Sequence, residues 1–316
     1  MIHRLRELPG RLLRVLFIWA SRRRRLAGVA ARMPLSRRIV ARFVAGDTLP
    51  EALDACERLK AAGLHTTLDV LGESVGSPEG ARSAAQRYVE LLTALAERGL
   101  DGNVSLKLSQ MGMNVDGAFC RQNFALVATK AAEVGAFVRV DMEDHTRTDT
   151  TLAIVREQRA QTPEVGVVIQ SYLRRSAADV ERLIAEGTRV RLCKGAYDEP
   201  ASVAFASKAE VDASFRGLME RLLRAGTYPA LATHDPRLIA AACDLARREG
   251  IAPSRFEFQM LYGIRRDLQA DLVRDGWTVR VYVPFGGEWY PYFMRRLAER
   301  PANVVFLLRA VLREGR

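Results

Sequence analysis

"VGVVIQSYLRRSAADVERLIAEGTRVRLCKGA", residues 165–196, is the stretch that decides the fold. "VGVVIQSYL" (165–173) is a short run of apolar and β-branched residues and reads as a strand. "SAADVERLIAEG" (176–187) repeats apolar residues at helical spacing and closes on Gly187, where a helix C-cap belongs. "TRVRLCKGA" (188–196) is a strand again. The rest of the chain repeats this alternation. Upstream lie the strand candidates "LHTTLDVLG" (64–72), "NVSLKLSQMG" (103–112) and "AFVRVDME" (136–143). Downstream lie "YPALATHD" (228–235), "RFEFQMLYG" (255–263) and "TVRVYVPFG" (278–286). Helical patterns such as "LPEALDACERLKAAG" (49–63) and "VDASFRGLMERLLRAG" (211–226) separate them, with Gly226, Gly250 and Gly276 also at expected helix ends. Eight strands alternating with helices over roughly 250 residues predict an α/β chain with a (βα)8 TIM barrel. A doubly wound open sheet is the runner-up. Such a sheet normally carries a glycine-rich first turn when it binds a dinucleotide, and the sequence has none.

Each candidate strand ends, at its C-terminal side, in residues able to do chemistry. They are Asp69 and Glu73, Lys107, Asp141, Gln170, Arg191 and Lys194, Thr233 and His234, Gln259, and Tyr282, taken strand by strand. Barrel enzymes build their sites at this end. One such residue alone would be read as a satisfied core polar group. Eight strands ending this way are hard to assign to packing, because every buried polar group needs a partner.

The chain of 316 residues is 48% hydrophobic, enough to bury a sizeable core. Its net charge of +11 is uneven. Residues 1–48 hold twelve arginines, no lysine and only Glu7 and Asp47 as acids, a net +10. This gives a two-part reading: a basic helical arm, 1–48, and a barrel, 49–316. In the arm, the apolar patch from Leu12 to Trp19 precedes Arg22–Arg25, and the uninterrupted apolar run Val15–Ala20 is too short to span a bilayer. It also makes a poor signal peptide. Three readings stay open: a helix on an anionic membrane surface through residues 1–25, an arm packed on the barrel, and, least favoured for want of any recognised motif, a nucleic-acid contact. The four cysteines, Cys56, Cys120, Cys193 and Cys243, are widely spaced, so neither a disulfide framework nor a zinc site is expected and a reducing, cytoplasmic compartment fits. The histidines His3, His65, His145 and His234 have no metal-ligand spacing. No metal is expected.

The C-terminal stretch "YPYFMRRLAER" (290–300) sets two guanidinium groups side by side, Arg295 and Arg296, between Tyr292 and Glu299 at helical spacing. Taken alone it reads as a solvated face. A guanidinium fork also clamps planar carboxylates. Around the predicted barrel mouth, Lys107, Arg191, Lys194, Arg295 and Arg296 face Asp141, Glu73 and Glu299, with no nucleophile–base pair. A cation-rich mouth of this kind fits an anionic substrate beside an anionic organic cofactor such as a flavin.

"QSYLRRSAADVERL", "RVRLCKGAYDEP", "ATHDPRLI", "FEFQMLYG" and "YPYFMRRLAERPAN", in that order, closely resemble the proline dehydrogenase family from about residue 43 onward. The resemblance implies a distorted (βα)8 barrel that binds FAD non-covalently and oxidises L-proline to Δ1-pyrroline-5-carboxylate. A hydride would pass from C5 to flavin N5, and electrons onward to a membrane quinone. A separate pyrroline-5-carboxylate dehydrogenase would consume the product. By resemblance, Arg295, Arg296 and Lys107 bind the proline carboxylate, and Asp141 holds Lys107. Arg191 lies beside flavin N5. Tyr282 and Tyr292 wall the pyrrolidine ring, with Leu261 and Tyr197 also facing substrate, and Glu73 is a gate that pairs with Arg295. Met142, Gln170, Cys193, Lys194, Gly195, Ala196, Thr233, His234, Gln259 and Glu299 complete the cofactor contacts. Two alternatives remain: a 4-hydroxyproline dehydrogenase, which the Tyr282 hydroxyl disfavours, and a catalytically silent barrel acting as a binding module, which would show damaged site positions.

Overall fold

The computed structural model describes residues 40–72 and 75–299, with side chains described as far as Met294. The predicted gate Glu73 and most of the predicted arm lie outside these residues, as do the side chains of Arg295, Arg296 and Glu299. Eight parallel strands close into a barrel in sequence order. They are β1 (His65–Val70), β2 (Asn103–Leu106), β3 (Phe137–Val140), β4 (Val165–Gln170), β5 (Val190–Cys193), β6 (Ala230–Ala232), β7 (Glu257–Leu261) and β8 (Val279–Phe285). β8 returns to β1 over six paired positions, His65 opposite Arg280 through Val70 opposite Phe285. The helices are α1 (Leu49–Ala61), α2 (Pro78–Glu97), α3 (Gly117–Glu133), α4 (Thr148–Arg159), α5 (Ser176–Ala185), α6 (Lys208–Ala225), α7 (Pro236–Glu249), α8 (Arg266–Arg274) and α9 (Trp289–Glu299). All eight expected strands are present, as a closed barrel rather than an open sheet.

Local chemistry sets the helix starts. Thr48 with Glu51, and Ser207 with Glu210, form capping boxes at α1 and α6. Ser77 and Asp116 cap α2 and α3 through their side chains. Of the four glycines expected at helix ends, Gly187, Gly250 and Gly276 are left-handed, whereas Gly226 is extended at φ −77 and ψ 156.

The strands are shorter than their apolar runs predict. "NVSLKLSQMG" leaves the sheet after Leu106 and curls into turns, with the Gln110 and Met111 amides donating to the carbonyls of Lys107 and Leu108. Leu108 and Met111 are nonetheless fully buried, so the apolar pattern continues where the strand does not. The same shortening places Lys107 and Asp141 just past the ends of β2 and β3, in the loops of the mouth.

One continuous core fills the layer between barrel and helices. Leu68 and Val70, Val104 and Leu106, and Val138 and Val140 are its contributions from β1, β2 and β3. The residues alternating with them, Thr67, Asp69, Ser105 and Arg139, are buried polar groups. The barrel interior is therefore polar, where barrels of this architecture commonly stack branched aliphatic layers. Arg280 meets Glu257 at 3.0 Å, and the fully buried Arg139 donates to the Arg189 carbonyl at 2.6 Å. Burial, the largest single influence, pushes the Glu257 carboxyl up, but the Arg280 guanidinium, the Gln259 hydrogen bond and the Arg139 charge together outweigh it and the carboxyl ends below its usual range.

Residues 40–46, grouped by sequence with the arm, run along the mouth. Val40, Phe43 and Val44 pack in a small apolar cluster with Trp289, Tyr290, Tyr292 and Phe293 of α9. The Ala45 amide donates to the Pro284 carbonyl, and the Gly286 amide to the Gly46 carbonyl, both at 2.9 Å. Gly263 has φ +73, and a Cβ there would drive into the Arg42 carbonyl, so this crossing requires glycine.

Candidate active site

Asp141 organises the mouth. Its Oδ1 accepts from Arg191 Nη1 at 2.7 Å and its Oδ2 from the Tyr282 hydroxyl at 3.0 Å. Lys107 Nζ stands 3.9 Å from Oδ2. Arg191 also donates through Nη2 to Ser105 Oγ at 2.8 Å, and its guanidinium lies 5.4 Å from the Tyr282 ring centroid. Ser105 and Arg191 sit on β2 and β5, and Asp141 and Tyr282 come from β3 and β8. These pairs are not neighbours in the sheet, so the bonds cross the lumen. Burial first, and then the negative charge of Asp141, pushes the Tyr282 phenol well above its ordinary range. Tyr282 therefore remains a hydroxyl donor throughout the neutral pH range. Lys107 is the third partner of Asp141, with Arg191 and Tyr282 held closer.

A cleft of about 70 Å³ opens beside this hub. It is lined by Asp69, Leu71, Gly72, Lys107, Glu288, Pro291 and Tyr292. It thus joins Lys107 to the first turns of α9, the helix whose backbone carries Arg295, Arg296 and Glu299. Below it, Gln110 stitches the β1 end to the β2 loop: Oε1 accepts from the Lys107 amide at 2.9 Å and Nε2 donates to the Val70 carbonyl at 2.7 Å.

Gln170, the 193–196 segment, Thr233 and His234 lie at the ends of β4, β5 and β6, across the barrel from the β1–β2 cleft. Gln170 at the β4 end donates to the Glu143 carbonyl at 2.9 Å. His234 Nε2 accepts the Leu261 amide at 3.0 Å, which places the ring proton on Nδ1 when the ring is neutral. Thr233 Oγ1 accepts from the Asp235 amide at 3.1 Å. Lys194 Nζ pairs with Asp212 at 2.5 Å and with Asp235 at 3.1 Å. A cofactor phosphate at Lys194 would compete with these carboxylates. Cys193 is half-buried at the β5 end and Met142 is buried in the core. Gly195 has φ +114, and a Cβ there would enter the Tyr172 ring, so the "KGAY" backbone approaches that ring as only glycine can. Gln259, expected at a strand end, is the middle residue of β7, and its Nε2 donates to Glu257 Oε1 at 2.5 Å. Two buried polar atoms, Arg191 Nε and Gln259 Oε1, have no hydrogen-bond partner among the described residues. A free donor and a free acceptor of this kind suit the polar edge of a flavin ring. Among the described residues no group of His, Cys, Asp and Glu is arranged to hold a metal ion.

Three supporting residues carried too little signal in the sequence to be singled out. Ser105 reads as an ordinary strand serine. Gln110 sits in what looked like strand. Tyr88 lies on the buried face of α2, where its hydroxyl donates to the Ser105 carbonyl at 2.7 Å and accepts the Val70 amide at 3.2 Å. An aromatic with a polar tip on the apolar face of a helix was the available clue.

A closed (βα)8 barrel with a cation-rich hub at its C-terminal mouth defines an enzyme of the barrel class. The proline dehydrogenase family model matches residues 52–309. Proline dehydrogenase 1 of Bacillus subtilis (strain 168) is 39% identical over 303 residues, covering 96% of this chain and 100% of that protein. The proline dehydrogenase of Deinococcus radiodurans is 43% identical over 279 residues, covering 86% of this chain and 89% of that one. The crystal structure of proline utilization A (PutA) from Bdellovibrio bacteriovorus inactivated by N-propargylglycine superposes with a TM-score of 0.78 at 27% identity. That match covers 83% of this chain and 32% of the PutA chain, so the present chain spans about a third of it. The chain belongs to the proline dehydrogenase family and is an oxidoreductase of that family.

Proposed function

We propose that this chain oxidises L-proline to Δ1-pyrroline-5-carboxylate with non-covalently bound FAD and passes the electrons to a membrane quinone. The observation that carries this reading is the bonding of Arg191 and Tyr282 to the two oxygens of Asp141, beside a cleft lined by Lys107 and Tyr292. FAD would be held by Arg191 and Gln259, whose free polar atoms suit it, together with Gln170, the 193–196 backbone, Thr233 and His234. When bound, it supplies the hydride acceptor.

The chain's own work is binding and orientation. Lys107, with Arg295 and Arg296 from α9, would hold the substrate carboxylate, and Tyr292 and Tyr282 would wall the ring. Leu261 and Tyr197 are proposed as further walls, Glu73 as the gate and Glu299 as a cofactor contact. Asp141 keeps both Arg191 and Tyr282 in place. The substrate nitrogen must lose its ammonium proton before hydride leaves C5, because only the neutral amine has a lone pair to stabilise the product iminium. The positive mouth favours this by disfavouring a second cation.

Substituting Arg295 or Arg296 by Met, or Lys107 by Ala, should raise KM for proline by at least a hundredfold, equivalent to about 3 kcal/mol, as when a charged hydrogen-bonded partner is lost. Steady-state kinetics on the three variants is the check. An unchanged KM in all three would remove the carboxylate clamp.

The domain reading is likewise a proposal: a barrel over 49–316 preceded by a basic arm whose segment 1–25 meets an anionic membrane surface where the quinone resides. The density of arginine around Leu12–Trp19 supports it. Among the described residues no helix is long and apolar enough to cross a membrane. A separate dehydrogenase would consume the pyrroline product.

A further inference from the structure

We propose that His145 and Glu199 form a latch that positions residues 194–207, the loop joining β5 to α6, against the mouth. The functional part of this proposal rests on reading Lys194–Tyr197 as cofactor and substrate contacts.

The Glu199 side chain is 3% exposed and His145 lies fifty-four residues away, on the β3–α4 loop, with β4 between the two loops in the barrel order. Glu199 Oε1 accepts the His145 amide at 2.9 Å and the Tyr172 hydroxyl at 3.3 Å, while Oε2 takes the His145 Nδ1 bond. A buried carboxylate without such partners would be strongly disfavoured, so three bonds on one acid indicate a built joint. Its fixed side is well braced. Asp144 accepts the Thr146 amide at 3.0 Å, and Glu143 accepts the Ser109 amide at 3.1 Å, three and two residues after the hub residue Asp141.

The held side is irregular. Residues 194–207 contain no helix or strand, and fixing that much backbone costs conformational entropy that local bonds must offset. Tyr172 connects the latch to the loop's two ends: its amide donates to the Lys194 carbonyl at 3.0 Å and its carbonyl accepts the Phe205 amide at 2.8 Å. Its ring lies where a side chain on Gly195 would go. The Glu199–Tyr172–Gly195 contact thus runs from the latch to the backbone proposed to line FAD. The bonds seen for His145 and Glu199 join them to each other and to Tyr172, so they act through the loop as positioning residues.

The test uses full-length protein. Hydrogen–deuterium exchange is measured at the amides of Val203, Ala204 and Phe205, which bond to Pro200 and Tyr172 carbonyls. FAD release is measured by fluorescence on dilution. Glu199→Gln and His145→Ala should each speed exchange at these amides about tenfold, the effect of losing one charge-assisted hydrogen bond, and FAD release by a similar factor. Exchange in α4 and β4 should stay at the wild-type rate, which shows the variants are folded. His145→Asn, whose side-chain amide can donate in place of Nδ1, should restore both rates to within about threefold of wild type. Wild-type exchange rates in both disrupted variants would overturn the latch. A loosened loop with unchanged FAD release would overturn its positioning role. The exchange measurement needs no flavin, so a protein that binds none would fail the cofactor reading while the latch was still decided.

Discussion

Two oxygens of Asp141 hold Arg191, Tyr282 and, more loosely, Lys107, and the side chains of Asp141 and Arg191 are 14% and 6% exposed. Removing the carboxylate leaves a largely buried guanidinium with Ser105 as its one remaining side-chain acceptor among the bonds seen here. Asp141→Ala should therefore cost about 3 kcal/mol of stability, read by urea denaturation. Tyr282→Phe, which loses one hydroxyl donor and no charge, should cost only about 1 kcal/mol. Equal losses in the two variants would contradict the hub. At this scale the sequence was informative where a charged group followed a strand directly, as at Asp141; Arg191, expected at a strand end, is instead the second residue of β5 and reaches Asp141 through its long side chain. The sequence was silent on Ser105, since a serine within a strand has no distinguishing pattern, and on the His145–Glu199 pair, since nothing local relates residues that far apart in the chain.

The elements were legible through periodicity, and their ends were not. Leu108 and Met111 keep the apolar pattern going inside a turn because the loop after β2 contributes to the core, so hydrophobicity overruns the hydrogen-bonded strand. The packing of the segment before α1 was also hidden. Val40, Phe43 and Val44 looked like part of a basic arm, yet they cover α9, with the Phe43 and Phe293 ring centroids 6.0 Å apart. That contact anchors the helix bearing the proposed carboxylate clamp. Phe43→Ala should cost about 3 kcal/mol of stability, in the range for a large-to-small change at a buried aromatic. It should raise KM for proline more than it lowers kcat, because α9 loses its outer support while the Asp141 hub does not. Thermal melts and steady-state kinetics check both parts. A fall in kcat with KM unchanged would place the effect elsewhere.

At the scale of the molecule, a barrel filled with ion pairs gives up aliphatic layers for a polar lumen that runs from Arg280 and Glu257 up to Asp141 and Arg191. The fold could be read from eight alternating units, but the polar filling could be read only at the strand ends, because buried Arg139 and Glu257 look in sequence like exposed strand residues. Beyond the barrel, deleting residues 1–25 should abolish co-sedimentation with anionic vesicles and lower activity with a membrane-embedded quinone, while activity with a soluble dye persists. Salt should weaken the vesicle binding of the full chain. Equal sedimentation of both forms would end the membrane reading. The central claim, oxidation of proline at the Asp141 end of the barrel, is tested most directly by anaerobic stopped-flow mixing of the purified protein with L-proline. The predicted result is a bound flavin whose oxidised absorption band bleaches on mixing, at a rate that rises between about pH 6 and 8.5 as the bound amine loses its proton. A flavin band left unchanged by saturating L-proline, or a folded protein that takes up no flavin when FAD is supplied, would contradict it.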